Sequence, residues 1–418
     1  MSLQERVINS LKERKQRLID GKINSVPSPF VRFRKDFLGI EQGKYYLITA
    51  STKASKTQFM TYLFLCTTLD YAYNHPDQMD VHIMYFPLEE TPEDIMTRYM
   101  SHLLYQLSGR KIRISPTDLT SANNDKPVSD DILALLETEE YKNRFKFFEE
   151  HVVFSSTSNP TGIYKEVKEY LQSKGTIHYK EQKIKNDFGQ QQIVQAFDYY
   201  VPNNPEQYNI FIVDHVSLLH QENNLTLKQT VDKMSEYCVE LRNRYRAIPV
   251  IVQQQAFAGE SLDAFKENKL RPTTANLADS KYTSRDCNVA FGLFSPMRHE
   301  LRTYMGYDIV RFKDSIRFVE ILVNRGGIMG GIVALYFDGA TDYFAELPNP
   351  KDITNLNRVY NLLDMIHEEV NVSLVLLTNK LKTKTKWQTL VFYWVKVVRV
   401  NLLVLKRWTQ RKLSYLMY

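Results

Sequence analysis

The chain has 418 residues, of which 43% are hydrophobic and 24% are charged, a composition typical of a globular protein with one large core or two domains. Its formal net charge is +6 at pH 7, but no acidic residue follows Glu369 whereas ten basic residues do, so the excess positive charge lies in residues 370–418. No stretch offers the roughly 18 uncharged apolar residues needed to span a bilayer, which excludes a membrane segment.

The cysteines set a further limit on the class of protein. Cys66, Cys238 and Cys287 stand far apart with no CxxC spacing. This excludes a zinc ribbon or a disulfide framework and is typical of a reducing compartment. The opening sequence MSLQERVINSLKERKQRL contains no apolar signal region, so we expect a cytoplasmic protein.

Residues 2–19 are predicted to form an amphipathic helix. A helix of this length is marginal alone, so its apolar stripe is expected to dock on its own domain or on a neighbouring subunit. A linker containing Pro27 and Pro29 follows, and together they define an N-terminal segment, 1–35. The apolar stripe consists of Leu3, Val7, Ile8, Leu11 and Leu18.

From residue 36 to 348 the pattern alternates between strands and helices, which predicts an α/β domain with a mostly parallel, doubly wound sheet. Residues 349–418 then form a C-terminal extension. The predicted strands are Lys44–Ala50, Val81–Phe86, His151–Phe154, Tyr208–Val213, Ile248–Val252, Phe318–Val323 and Gly331–Phe337, the last two forming a hairpin. The predicted helices are Pro92–Ser108, Gly162–Ser173 and Leu227–Arg246, and a further helical repeat is formed by Phe59, Tyr62, Leu63, Cys66 and Leu69.

Residues 175–201 interrupt this alternation. They contain two polar, alternating runs on either side of Asn186-Asp187-Phe188-Gly189, a pattern that predicts an exposed β-hairpin insertion.

The octet ASTKASKT at residues 50–57 is a candidate phosphate-binding loop. It lies between a buried strand and a helix, where backbone N–H groups can face phosphates, and Lys56 can reach their oxygens while Thr57 binds Mg²⁺. Ser55 stands where a glycine normally lets the backbone approach the phosphates without a Cβ. The alternative is a simple capped helix start. The predicted nucleotide-binding residues are Ala50, Ser51, Thr52, Lys53, Ala54, Ser55, Lys56 and Thr57.

Two carboxylates follow other predicted strands. Asp214 ends the run NIFIVD, and on a strand beside that of the phosphate loop it would bind Mg²⁺ or its water shell. Glu89 in YFPLEET could deprotonate an attacking water. Each has an ordinary alternative, because acidic residues after a strand often cap the next helix.

Gln255 and Arg325 complete the set of candidates. Gln255 ends the strand PVIVQQQ, where its amide could sense a γ-phosphate, although a polar strand end is an equally simple interpretation. Arg325 lies at the tip of the last predicted hairpin, from which it could stabilise charge in a neighbouring subunit's site rather than in its own. The alternative there is a solvated turn arginine.

Together and in this order, these motifs resemble the ATPase domain of DnaB-like replicative helicases, over roughly residues 36–348. The family's "SLEM" corresponds to PLEE at Glu89, its "IDYLQLM" to VDHVSLL at Asp214, and its "PVxALSQ" to PVIVQQQ at Gln255. Its "KQRNGPIG" corresponds to VNRGGIMG, which matches the arginine finger to Arg325 and leaves Val323 where a second cation usually stands.

The resemblance implies a RecA-like P-loop NTPase fold, ATP and Mg²⁺ as ligands, a hexameric ring on single-stranded DNA, and a primase or helicase loader as partner. It also implies that Glu89 is the catalytic base and that RPTTANLADSKYTSRDCNV contains a DNA-facing loop centred on Ala278, Asp279 and Lys281. The compact size, without the large N-terminal primase-binding domain, looks like a phage-encoded form acting in the host cytoplasm.

Ser55 and Val323 are departures that affect the same catalytic step, so they leave a second hypothesis open. In that hypothesis the protein is a RecA-like nucleotide-binding assembly, structural, regulatory or related to recombination, that does not unwind DNA.

The basic extension has no counterpart in the family. Its cations alternate with Trp387, Trp394 and Trp408, which favours nucleic-acid binding, whereas its apolar runs favour a basic amphipathic surface helix. A third interpretation is an extension under little structural constraint, and composition does not decide among the three.

Overall fold

The computed structural model describes residues 2–185, 191–256 and 270–365. The chain divides into two compact units. The first contains residues 1–93, 137–294 and 319–332, and the second contains residues 94–136, 295–318 and those from 333 onwards. All the sequence-predicted site residues belong to the first unit.

The helices and strands follow in chain order. The helices are α1 (Leu3–Ile19), α2 (Lys56–Met60), α3 (Thr67–Asn74), α4 (Pro92–Leu107), α5 (Pro116–Leu119), α6 (Asp130–Leu136), α7 (Glu139–His151), α8 (Pro160–Ser173), α9 (Leu227–Tyr245), α10 (Tyr282–Asp286) and α11 (Ile309–Phe312), and residues 353–365 are also helical. The strands are β1 (Val26–Pro27), β2 (Gly39–Ile40), β3 (Tyr46–Ala50), β4 (Asp80–Pro87), β5 (Val152–Phe154), β6 (Gly175–Lys185), β7 (Gln191–Pro202), β8 (Gln207–Asp214), β9 (Ile248–Gln254), β10 (Val289–Phe294), β11 (Thr303–Tyr304), β12 (Tyr307–Asp308), β13 (Ile316–Asn324), β14 (Ile332–Asp338) and β15 (Tyr343–Glu346).

The main sheet has nine strands in the order β15-β14-β13-β10-β3-β9-β8-β4-β5. The six strands from β10 to β5 pair in parallel, whereas β14 and β15 pair antiparallel. The predicted α/β class with a mostly parallel sheet is confirmed. Because the six strands are parallel, their carboxyl ends meet at one edge of the sheet, where ligands of such folds bind.

Two expectations about the sheet were wrong. The strand that ends at Asp214 is not beside the phosphate-loop strand, because β9 lies between β8 and β3. In addition, β10 was not predicted, although it pairs with β3 along five residues. Its sequence VAFGLF contains Gly292, where a Cβ would lie 2.8 Å from the Leu322 side chain, so close packing requires a residue that weakens the strand signal.

The segment before β3 is part of the core rather than a free linker. Val26 pairs with Ile40 in the short β1–β2 ladder. Phe30 is buried and stacks on Phe59 and Tyr62, with ring centroids 6.2 and 5.9 Å apart. Both rings belong to the helical run that follows the octet, so the start of the chain supports that run directly.

The predicted N-terminal helix is confirmed as α1, which begins with a capping box formed by Ser2 and Glu5. Its charged side contacts the first unit, where Arg17 forms a 2.7 Å ion pair with Glu206. Its apolar side is turned outwards, and the five stripe residues are 40–70% exposed. The expectation that this stripe docks on its own domain is therefore not met within the residues described.

The predicted insertion is an antiparallel hairpin of β6 and β7, in which Gly175 lies opposite Pro202 and Lys185 opposite Gln191. Its predicted turn, Asn186–Gly189, lies outside the described residues. The basic extension from residue 370, with its three tryptophans, lies outside them as well. Within the described ranges, no helix is long and apolar enough to cross a membrane.

The second unit contains α4, the β14–β15 hairpin and the short elements around them. Arg113 donates two hydrogen bonds to the buried Asp338, at 2.6 and 2.8 Å. Nδ1 of the buried His102 lies 3.1 Å from the carbonyl oxygen of Thr341. These contacts connect helical and strand segments that are distant in sequence.

Candidate functional site

The octet forms a loop between the end of β3 and the start of α2. Ala50 is the last residue of the buried strand, and the N–H of Ala54 donates to the carbonyl of Ser51 at 3.1 Å to close a turn. Thr52 and Lys53 are exposed, whereas Ser51, Ala54, Ser55 and Lys56 are buried. The strand, loop and helix that the octet predicts are therefore all present.

Two loop residues have backbone conformations that glycine normally supplies. Ser55 has a φ of +69° and Lys53 a φ of +61°, both in the left-handed region. For a residue with a Cβ this region costs about 1–2 kcal/mol. The loop thus keeps the backbone shape of a glycine at position 55 while carrying a serine there.

Asp214 lies against the start of α2. The Thr57 hydroxyl donates to Oδ1 of Asp214 at 3.3 Å, and the Tyr85 hydroxyl lies 3.5 Å from its Oδ2. The residue is only 3% exposed, and burial raises the pKa of its carboxyl to about 7, although the Thr57 hydrogen bond and the Lys56 charge oppose the shift. A cation at this position would remove the cost of ionising the buried carboxyl.

The Thr57 and Asp214 oxygens fit a magnesium ion. A hydroxyl and a carboxylate are hard oxygen ligands, and Mg²⁺ usually takes one or two of these together with water and substrate phosphate. Within the described ranges, no group of three or more His, Cys, Asp or Glu side chains is placed to hold a metal. The donor set therefore suits a metal that arrives with a phosphate ligand.

Glu89 reaches the same edge from the neighbouring strand. In the β4–β8 ladder Pro87 lies opposite Asp214, and the N–H of Leu88 donates to the Asp214 carbonyl at 2.8 Å. The Glu89 side chain is 50% exposed, and its Oε2 lies 3.5 Å from Nε2 of His215. A carboxylate is thus held beside the candidate magnesium site with access to water.

The three glutamines at the end of β9 point to different partners. Gln253 is buried and donates to the carbonyls of Ala278 and Ser280. The Gln254 amide lies 3.3 Å from Nε2 of His215. Gln255 donates to the Thr49 hydroxyl at 2.8 Å and accepts from the N–H of Thr273 at 3.2 Å.

Gln255 and Gln254 therefore differ in what their side chains contact. The structure places the Gln255 amide against β3 and the start of the following segment, and it places Gln254 beside His215 and Glu89. Successive side chains of a strand point to opposite faces, which is why adjacent glutamines diverge.

The predicted DNA-facing residues lie on a segment anchored to β9. The N–H of Ala278 donates to the Gln254 carbonyl at 2.9 Å, and Oδ2 of Asp279 accepts from the Ser217 hydroxyl at 2.5 Å. Lys281 is exposed. The structure thus connects this segment to the carboxyl edge of the sheet and leaves the Lys281 ammonium open to solvent.

Tyr282 is a neighbouring residue that the sequence analysis missed. It is 45% exposed, with the Lys228 ammonium 5.1 Å and the Arg285 guanidinium 5.2 Å from its ring centroid. Cations beside an exposed aromatic ring are typical of single-stranded nucleic-acid surfaces. The sequence signal was the YTSR pattern directly after Lys281.

Arg325 lies at the opposite edge of the sheet from the octet. Its N–H donates to the Asn288 carbonyl at 2.9 Å, and Asn288 in turn is bonded to Tyr45, the residue before β3. The five residues of β3 span about 17 Å, so the amino edge is remote from Lys56. Arg325 is exposed and cannot serve its own chain's octet without a large movement.

Other cations surround Arg325 at this amino edge. Burial lowers the pKa of Arg242, and the charge of Arg325 lowers it further, so the two guanidinium groups are close enough to repel each other. The Lys44 ammonium lies 3.8 Å from the position that a Cβ on Gly326 would occupy. Val323 instead packs against the core and offers no charge.

Neither His215 nor Gln253 was singled out from the sequence. His215 follows Asp214 in the motif VDH, and Gln253 lies inside the strand that ends at Gln255. The signal for Gln253 was a polar residue within an apolar strand, which implies a buried partner. The signal for His215 was its position directly after a candidate metal ligand.

No family model matches the chain, and no curated protein does. Among solved structures the chain is similar to an ATPase domain of the DnaB-like helicase class, with a TM-score of 0.55, 16% identity, and coverage of 83% of this chain and 99% of that chain. It is also similar to a DnaB-like replicative helicase whose interactions with primase were studied, with a TM-score of 0.54, 16% identity, and coverage of 82% of this chain and 66% of that chain. These similarities confirm the predicted RecA-like fold of DnaB-like helicase ATPase domains.

Proposed function

We propose that the protein is an ATP-driven DNA helicase motor that forms a ring, with six subunits as the expected number, moves along single-stranded DNA and unwinds duplex. The observation that carries the proposal is the division of the site residues between two edges of one sheet. Lys56, Thr57, Asp214 and Glu89 converge at the carboxyl edge, whereas Arg325 lies at the amino edge. A site made by two adjoining subunits uses both edges.

The octet would hold the triphosphate of ATP. The N–H groups from Ser51 to Ser55 and the start of α2 favour negative charge, and Lys56 neutralises the β- and γ-phosphate oxygens. Thr57 and Asp214 would hold Mg²⁺, which when bound neutralises phosphate charge and fixes the phosphates in place.

The chemical step is hydrolysis of the bond between the β- and γ-phosphates. Glu89 accepts a proton from a water molecule as the water oxygen attacks the γ-phosphorus, and the bridging P–O bond breaks to release ADP. Arg325 of the adjoining subunit stabilises the charge that develops on the γ-phosphoryl oxygens. The oxygen of the attacking water is retained on the inorganic phosphate that leaves.

Coupling to DNA would use the segment that follows β9. Ala278, Asp279 and Lys281 are the proposed DNA-facing residues, and hydrogen bonds to Gln253 and Gln254 connect them to the nucleotide edge. Gln255 would respond to the γ-phosphate through its contacts with Thr49 and Thr273. A primase or a helicase loader is the proposed partner class.

The decisive measurement is ATP turnover with and without single-stranded DNA. We expect DNA to raise the wild-type rate, and we expect Lys56→Ala to lower it by at least about 100-fold because phosphate charge is no longer neutralised. Lys53→Ala is the matched control, since Lys53 is exposed on the same loop. Unchanged turnover in Lys56→Ala would contradict the proposal, as would a particle mass that stays monomeric with ATP and DNA present.

A second candidate is a nucleotide-binding assembly that does not unwind DNA. The strained φ of Ser55 and the apolar packing of Val323 favour it, because both positions usually serve catalysis. Unwinding of a forked duplex by wild type and by Ser55→Gly separates the two candidates. Strong wild-type unwinding contradicts the second candidate, whereas unwinding gained only in Ser55→Gly supports it.

A further inference from the structure

His215 lies between the proposed catalytic base and the proposed DNA-facing segment. The residue is 5% exposed, and its Nε2 is 3.5 Å from Oε2 of Glu89. The same nitrogen lies 3.3 Å from the side-chain nitrogen of Gln254 at the end of β9. One imidazole therefore contacts two elements that the proposed reaction uses.

The far side of this arrangement reaches the DNA-facing residues. The Gln254 carbonyl accepts from the N–H of Ala278, and the Ser217 hydroxyl donates to Asp279 at 2.5 Å. Ser217 is two residues after His215 in the short helical turn Val216–Leu218. Movement of the 278–279 segment would therefore act on His215 through both Gln254 and Ser217.

The imidazole of His215 is not fully satisfied by the fold. Among the described residues its buried Nδ1 has no hydrogen-bond partner, and a buried unpaired polar atom costs stability. The buried His102 is different, because its Nδ1 lies 3.1 Å from the Thr341 carbonyl. A histidine kept at this cost beside Glu89 has a role other than packing.

We propose that His215 is a positioning residue that orients the Glu89 carboxylate and makes this orientation depend on the DNA-facing segment. The inference rests on the proposed function. When single-stranded DNA holds Ala278 and Asp279, Gln254 and Ser217 fix the imidazole, and Nε2 fixes the carboxylate toward the attacking water. Without DNA the carboxylate is free to turn into solvent, which its 50% exposure permits.

The test compares three substitutions of one residue. Glutamine places its amide nitrogen near the position of Nε2, whereas asparagine places it near Nδ1, and alanine removes both. We expect His215→Ala and His215→Asn to lose stimulation by DNA and to lower kcat by roughly tenfold or more, while KM for ATP stays within about twofold. We expect His215→Gln to recover most of the stimulation.

The control is His102→Ala, which removes another buried imidazole. A purely structural effect would lower the melting temperature of both alanine variants and leave the stimulation ratio unchanged in both. The inference is overturned if His215→Ala keeps the wild-type ratio, or if His215→Asn and His215→Gln behave alike. If His215→Ala does not fold, the asparagine–glutamine comparison decides.

Failure of the proposed function gives a different result. In that case wild type itself shows no DNA-stimulated turnover, and both proposals fall together. Wild-type stimulation that persists unchanged in all the His215 variants contradicts only the positioning role.

Discussion

The two edges of the central sheet differ in how their charges are arranged. At the carboxyl edge the Lys56 ammonium faces a buried carboxylate at Asp214, and each charge favours the other. At the amino edge Arg325 and Arg242 carry like charges that repel each other. The comparison teaches that one edge is nearly complete within the chain, whereas the other has cations suited to an anion from elsewhere.

The sharpest way to break this comparison is to divide the two edges between two inactive proteins. Lys56→Ala and Arg325→Ala should each reduce ATP turnover to below about 1% of wild type. In random one-to-one mixed rings, about a quarter of interfaces pair an intact Lys56 with an intact Arg325, so activity should return to about that fraction. Turnover that stays at the level of the separate variants would contradict a shared site.

The buried carboxyl of Asp214 should make stability depend on pH. Its folded-state pKa of about 7 lies above the ordinary value of 3.8, so its favourable contribution is present at acid pH and is lost as pH rises through 7. Asp214→Asn removes this titration and should raise the melting temperature relative to wild type more at pH 8 than at pH 5. Equal differences at both pH values, without nucleotide or Mg²⁺, would show that the carboxyl is not perturbed.

Gln253 tests whether the carboxyl edge is connected internally as described. Gln253→Leu leaves the carbonyls of Ala278 and Ser280 without their donor, and we expect a loss of about 2–3 kcal/mol in the free energy of unfolding. Gln254→Leu is the matched control one residue away, with an expected loss of less than about 1 kcal/mol because Gln254 is only half-buried. Equal losses in denaturant titrations would contradict the assigned contacts.

The smallest expected effect concerns the loop itself. Ser55→Gly should stabilise the protein by about 1 kcal/mol, because glycine adopts a φ of +69° without the Cβ penalty. Thr52→Gly, at a loop position where φ is not positive, should destabilise slightly through the entropy of the unfolded chain. A Ser55→Gly variant less stable than wild type would mean that the serine side chain makes a stabilising contact.

The local elements could be predicted from the sequence because their signals are local. The octet lies between a buried apolar run and a helical repeat, and all five predicted helical residues, from Phe59 to Leu69, are buried. The hairpin at 175–201 was marked by its polar alternation. Resemblance in motif order supplied the candidate roles of Asp214, Glu89 and Arg325, and for these residues the structure adds distances rather than proof.

The order of strands could not be predicted in the same way. The insertion of β9 between β3 and β8 depends on pairings between segments far apart in the chain, which no local pattern encodes. The glutamines were similarly ambiguous, because three in succession give no indication of which one faces the site. The positions of His215 and Gln253 became meaningful only when their partners from other strands were known.

The repulsion between Arg325 and Arg242 has a thermodynamic consequence for a shared site. If a neighbour's triphosphate relieves it, nucleotide binding and subunit association must favour each other by the same free energy. Apparent affinity for ATP would then rise with protein concentration, and a dilute sample would bind nucleotide weakly even with an intact octet. The spacing of two guanidinium groups thereby makes the nucleotide occupancy of each subunit depend on how many neighbours it has.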